Sequence, residues 1–157
     1  MSENNNGVRY ALSFQEQFTL RGMIIGSIGA VILTMSSMYV ALKLGALPWP
    51  IIFVALVSMC CLKALGNTNI NEINVTHTAM SAGAMTAGGL AFTIPGIYML
   101  EPGANISILA LFFVVLGGVI LGLIFTALIR GYFITAKKLP YPMGQAAAET
   151  LIVGDEG

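Results

Sequence analysis

Apolar positions in this chain fall into four long runs rather than the alternating or one-sided patterns of soluble elements. Residues 22–42 contain 21 positions without a charge, and a helix rising 1.5 Å per residue needs roughly 20 to cross a bilayer core. A second run, 49–65, is broken only by Lys63 near its end, where a long ammonium side chain snorkels to an interface. The third occupies 73–100, with its span at 75–100, and is rich in Gly, Ala, Ser and Thr. The fourth, 106–129, is 24 residues long and strongly apolar. Helices that are apolar on all sides need lipid around them. The pattern therefore predicts an all-α, polytopic integral membrane protein with about four transmembrane helices between residues 19 and 152.

The segments around these runs are polar. Residues 1–18 form a tail with no basic n-region or cleavage site of a secretory signal. Within it Tyr10, Phe14 and Phe18 recur every fourth residue, the stripe of an interfacial helix. Beyond the fourth run, Lys137-Lys138-Leu139-Pro140-Tyr141-Pro142-Met143-Gly144 leads into Ala-rich sequence. It reads as a sharp turn into a further helix over 142–152, and residues 153–157 read as the truncated end of a longer chain. No internal repeat is evident.

Charge fixes the class and the orientation. Only 9% of residues are charged against 57% apolar, and the net charge is zero. A soluble domain carries about 25% charged residues, and nothing here marks a nucleic-acid partner. With all four runs crossing, Arg9, Arg21, Lys63, Arg130, Lys137 and Lys138 share one side and Lys43 alone lies on the other. The positive-inside rule then places the N-terminus in the cytoplasm. The absence of a leader and the short loops point to a prokaryotic plasma membrane.

The third run carries most of the polar chemistry. On helical spacing Asn71, Asn74, Thr78, Ser81, Met85, Gly88 and Phe92 share a face, and polar side chains at membrane depth face a protein interior or a watery cavity. Ala79, Gly83 and Ala87 form a neighbouring small stripe that admits another backbone. Pro95-Gly96 is expected to interrupt this helix. A polar, Gly-rich, interrupted helix is the type that lines a substrate path in transporters; the same pattern also suits a tightly packed helix with its hydroxyls satisfied. Gly22-x-x-x-Gly26 and Gly118-x-x-x-Gly122 are further small contacts of that kind. Asn71, Glu72, Asn74, Thr78, Ser81, Gly83 and Pro95 are accordingly the candidates for the path or its gate.

Two titratable groups could move protons. Glu72 lies in the first turn of this helix, where the dipole favours a carboxylate, and a structural role competes with proton carriage. His77, the single histidine, titrates near neutral pH, against the plainer role of an interfacial side chain. Cys60 and Cys61 read as small apolar residues. Asn74-Val75-Thr76 and Asn105-Ile106-Ser107 match glycosylation acceptors by pattern alone. No metal cluster, phosphate loop or nucleophile–base spacing is present, so no metal, no cofactor and no enzymatic activity are expected.

Three places along the chain resemble the oligopeptide transporter (OPT) family, which includes the yellow-stripe-like transporters. The stretch from Asn71, Glu72 and Asn74 through His77 and Thr78 to Ser81-Ala82-Gly83 is similar to its E-x-N…T…SAG segment. Phe92-Thr93-Ile94-Pro95 is similar to its F-x-x-P. Lys138, Leu139, Pro140, Pro142 and Gly144, followed by Ala147, Ala148 and Glu149, are similar to its KLPxP-x-G…A-x-E segment. Thr19-Leu20-Arg21-Gly22 fits the family's opening, while Gly96 stands where the family often has Ala. The resemblance covers most of 19–152 and would make this chain the N-terminal portion of a much longer carrier.

The resemblance implies secondary active transport driven by protons, with small peptides or peptide-like metal chelates as cargo and the remaining transmembrane segments as structural partners. A metal-chelate carrier of the yellow-stripe-like kind is the runner-up, which nothing in these residues excludes. A channel would need an oligomer to enclose its pore. A non-transporting assembly subunit or anchor would explain four packed spans but not the motif series.

Overall fold

In a computed structural model of the chain, residues 14–47 and 50–156 are described. Those residues are helical throughout, with no strand. They form two compact units, one of residues up to Pro95 together with 142–157, the other Gly96–Tyr141.

The first unit opens with a single turn, α1 (Phe14–Gln17). Tyr10 lies outside the described residues, and Phe18 is exposed beyond the helix end. The aromatic stripe is therefore not carried by one continuous helix within the described part.

α2 (Leu20–Leu44) starts where Thr19, in extended conformation, accepts a hydrogen bond on its hydroxyl from the Gly22 N–H at 3.1 Å, the standard way to satisfy an orphan donor. It ends at Gly45 in the left-handed region, φ 66°, whose N–H reaches the Ala41 carbonyl. Its 25 residues span about 37 Å, more than a bilayer core.

α3 (Ile51–Ala64) is shorter than its apolar run suggests. Pro50 precedes it, Gly66 (φ 73°) and Asn67 (φ 49°) follow it, and 14 residues remain. These cover about 21 Å against a core of roughly 30 Å, so the expected span at 49–65 is not a full-length helix.

α4 (Ile70–Leu100) has 31 residues and begins where the Asn69 side chain accepts from the Glu72 N–H at 2.8 Å. The expected interruption at Pro95 does not occur, for the helix continues five residues past it. Proline removes one intrahelical donor but does not force termination when the rest of the ladder holds.

α2 and α4 approach closely along glycines. A methyl added at Gly26 would lie 2.9 Å from the Ala79 Cβ, and one at Gly83 would lie 2.5 Å from the Ala30 carbonyl oxygen. Without lipid-excluding hydrophobic drive, such close contacts are what hold membrane helices together.

The buried face of α4 runs Ile73, His77, Met80, Ala84, Ala87, Ala91, alternating steps of four and three. Ile73 joins Ala55, Met59 and Leu62 of α3 and Leu151 of α6 (Pro142–Glu156) in one apolar cluster. α6 continues through residues 153–156, which the sequence reading set aside as a truncated end.

The second unit holds the end of α4 and α5 (Ile108–Arg130), which runs into a π-helical turn over Gly131–Ala136. α5 buries no residue, and Gly118 and Gly122 face open space. The small motif expected there makes no contact within the described residues. Lys137 donates its N–H to the Tyr132 carbonyl at 3.0 Å, and Lys138 takes φ 47°.

Three helices are long and apolar enough to cross a membrane: Leu20–Leu44, Ile70–Leu100 and Ile108–Ala136. Their lipid-sized apolar surfaces, such as Ile28, Val31, Ile32 and Met35 on α2 or the whole of α5, belong to an integral membrane protein.

Candidate functional site

The polar side chains gather in two places in the first unit. One lies where α2 begins, α3 ends and α4 begins. There the Arg21 guanidinium donates from Nε and Nη2 to the two Glu72 carboxylate oxygens, each at 2.6 Å. Such a forked pair is the strongest geometry available to the two groups. Thr68 donates to Oε2 at 2.9 Å, and the Thr19 hydroxyl donates to Oε1. Arg21 also reaches the Gly66 carbonyl at 2.8 Å and the Asn67 carbonyl at 2.5 Å. Those carbonyls are turned toward it by two consecutive left-handed residues.

Glu72 is therefore more than a dipole partner. Its carboxylate is buried, with 1% of the side chain exposed, and it ties three helix ends together. Asn69 already occupies the Glu72 N–H, leaving the carboxylate to face α2. Neither Arg21 nor Thr68 stood out in the sequence as a site residue, because their partners lie 51 and four positions away. The Asn69-x-x-Glu72 spacing, a helix-start signature, is a sequence signal that could have marked this corner.

The second place is the wall of α4. Its expected polar face points largely away from the contacts this chain makes. Asn74 and Thr78 are exposed, Asn71 and Ser81 are half-buried, and Met85 and Phe92 are exposed. Thr78 returns its hydroxyl to the Asn74 carbonyl at 2.8 Å. Gly88 departs from this face, being buried against the Leu47 side chain. Gly83 faces the α2 backbone, and Pro95 is half-buried within the helix.

His77 is buried between α4 and the start of α3. Its Nε2 lies 3.2 Å from the Ile51 carbonyl. A carbonyl only accepts, so Nε2 carries the hydrogen there. Nδ1 is buried with no hydrogen-bond partner among the described residues, and so is the Ser81 hydroxyl one turn further along. Thr76, on the same turn as His77, donates to the Gly22 carbonyl at 3.3 Å. Among the described residues no group of His, Cys, Asp and Glu could hold a metal.

The residues of the later motif fall in both units. Lys138, Leu139 and Pro140 are exposed in the second unit, where the Leu139 N–H reaches the Phe133 carbonyl at 3.2 Å. Pro142 is the first residue of α6, where its missing donor costs nothing. Gly144 is half-buried and Glu149 exposed on the same helix.

Comparison with known proteins identifies the family. The sequence model of a family described as OPT oligopeptide transporter protein matches residues 17–157. A Haemophilus influenzae protein named "Putative oligopeptide transporter" is 34% identical over 118 residues, which is 75% of this chain and 18% of that protein. The chain thus spans less than one fifth of the length of that relative. No solved structure matches it. With the matched region taking in α2 through α6 and every motif position named above, the chain belongs to the OPT oligopeptide transporter family.

Proposed function

We propose that this chain forms part of a secondary active transporter that imports oligopeptides across a prokaryotic plasma membrane in symport with protons. The observation that carries the reading is the family match over residues 17–157.

Two features of the first unit support it. α4 turns Asn74 and Thr78 outward while burying its Ile73–Ala91 stripe, so a polar face remains for a cargo path built with the rest of the carrier. Glu72 is fully engaged by Arg21, Thr19 and Thr68. His77, whose buried Nδ1 has no partner among the described residues, is then our candidate for the proton carrier. The orientation rests on the same corner: Arg21 and Lys63 lie at one end of the unit and Lys43 at the far end of α2. The positive-inside rule then puts the Arg21 end in the cytoplasm.

The test is uptake by the full transporter in energised vesicles, comparing labelled oligopeptides with a peptide-like metal chelate. Asn74→Leu, Thr78→Leu and Ser81→Leu should each reduce peptide uptake with membrane insertion unchanged. Wild-type uptake by all three sinks the path assignment. Uptake of the chelate alone transfers the cargo to the metal-chelate branch.

A further inference from the structure

α3 and α6 lie side by side and point the same way. Their first turns meet at Pro50, Ile52, Phe53, Pro142, Met143 and Ala146, which line one cavity of about 380 Å³. Their far ends also meet: Lys63 donates to the Gly154 carbonyl, and Met59 lies against Gly154. Successive full crossings alternate in direction. With α4 and α5 between them, two such helices would run antiparallel, and the parallel pair is incompatible with that simple alternation.

Both helices are also too short to cross. α3 has 14 residues and α6 has 15, about 21 and 22 Å against a core of roughly 30 Å. The level of the α3 start can be read against α4. The Ile51 carbonyl is bound by His77, seven residues or about 10 Å from the beginning of α4. Leu47 lies against Gly88, another 11 residues or about 16 Å along. The charged corner of Arg21 and Glu72 marks the membrane face at the start of α4, so the first turn of α3 lies inside the core. α6 begins beside it.

The sequence marks both starts in the same way. Leu47-Pro48-Trp49-Pro50 precedes α3, and Leu139-Pro140-Tyr141-Pro142 leads into α6. This Leu-Pro-aromatic-Pro pattern stands before both helices. Two prolines in four residues remove two backbone donors, which suits a segment entering the membrane.

The start of α3 still carries unpaired donors. α3 has no side-chain cap at Pro50, so its first N–H groups have no intrahelical partner. At membrane depth such groups are tolerated only inside protein or against water.

We propose that α3 and α6 are parallel half-span helices, each introduced by a Leu-Pro-aromatic-Pro segment, and that the apolar cavity between their first turns opens onto the translocation path. The helix arrangement stands without the transporter reading. The role of the cavity as a path rests on it.

The experiment uses the full transporter in a cysteine-free background, Cys60→Ala and Cys61→Ala included. Ile52→Cys with Met143→Cys is treated with a short bis-thiol reagent, and each single variant is exposed to a membrane-impermeant thiol reagent from either side. Phe53→Cys with Ala146→Cys is the second pair, and Ile32→Cys on the lipid face of α2 is the control.

The expected result is a crosslink in both pairs. Positions 52 and 143 should label from the same side, many-fold faster than position 32. Labelling from opposite faces without a crosslink overturns the half-span pair and restores two alternating spans. A crosslink with no labelling overturns the opening onto the path. Peptide uptake by the wild type in the same vesicles is scored separately, so absence of transport is distinguished from failure of the arrangement.

Discussion

Gly83→Ala probes how closely α2 and α4 approach. An added methyl would sit 2.5 Å from the Ala30 carbonyl oxygen, 2.9 Å from its carbonyl carbon and 2.7 Å from the Thr34 hydroxyl. Unstrained contacts begin near 3.5 Å, so the helices must part by about 1 Å. The nearest atoms are backbone and cannot rotate away, and Thr34 is held by its bond to the Ala30 carbonyl at 2.6 Å.

Overpacking of this kind costs about 3 kcal/mol, the upper part of the usual range. Replacing a helical glycine by alanine returns about 1 kcal/mol. The net loss is about 2 kcal/mol, a shift of roughly 30-fold in the folded-to-unfolded ratio. Gly89, six residues on in the same helix, has nothing within 4 Å of an added methyl. There only the propensity gain of about 1 kcal/mol applies. The two variants should therefore move in opposite directions. The assay is the fraction of solubilised full transporter that stays monodisperse across a heating series. A Gly83→Ala protein as heat-resistant as wild type would refute the inferred contact between the two backbones.

Other outcomes follow from the same structure. Arg21→Ala should lower heat resistance more than Glu72→Gln, because it strands a buried carboxylate, and the Arg21→Ala/Glu72→Ala double variant should lose less than the sum of its singles. Equal and additive losses would show that the pair is not coupled. His77→Gln keeps a donor for the Ile51 carbonyl, so the protein should fold and reach the membrane, while uptake loses its dependence on external pH. An unchanged pH response places the coupling proton elsewhere. Gly103→Cys, exposed between α4 and α5, should label from outside intact cells, and labelling only after permeabilisation reverses the orientation.

Much of the helical architecture was legible because a bilayer demands long apolar runs and little else. The four runs became α2, α3, α4 and α5, and the turn before α6 was marked by Pro142. What escaped the sequence depends on distance along the chain. The pairing of Arg21 with Glu72 joins positions 51 apart, and neither residue names its partner. The buried stripe of α4 is set by where α2 and α3 lie, so Ile73, Met80 and Ala84 turned inward while Asn74 and Thr78 turned out. Pro95 was over-read as a break, since a long helix tolerates the loss of one donor. The shortness of α3 was hidden because Leu65 extends its hydropathy without extending its helix. Gly118 and Gly122 show the converse: a packing motif with nothing in this chain to meet it.

The contrast between α4 and α5 bears on biogenesis. α5 and its π-helical turn need no neighbour from this chain to be at home in lipid, since neither buries a residue. Such a segment leaves the translocon unaided. α4 carries Asn71, Glu72, Asn74 and His77 within its first eight residues, and a carboxylate alone in hydrocarbon opposes insertion by a few kcal/mol. Neutralising that charge requires Arg21, which emerges from the ribosome 51 residues earlier. α2 and α4 run parallel with their charged ends together, so the two helices are expected to settle in the membrane as a pair.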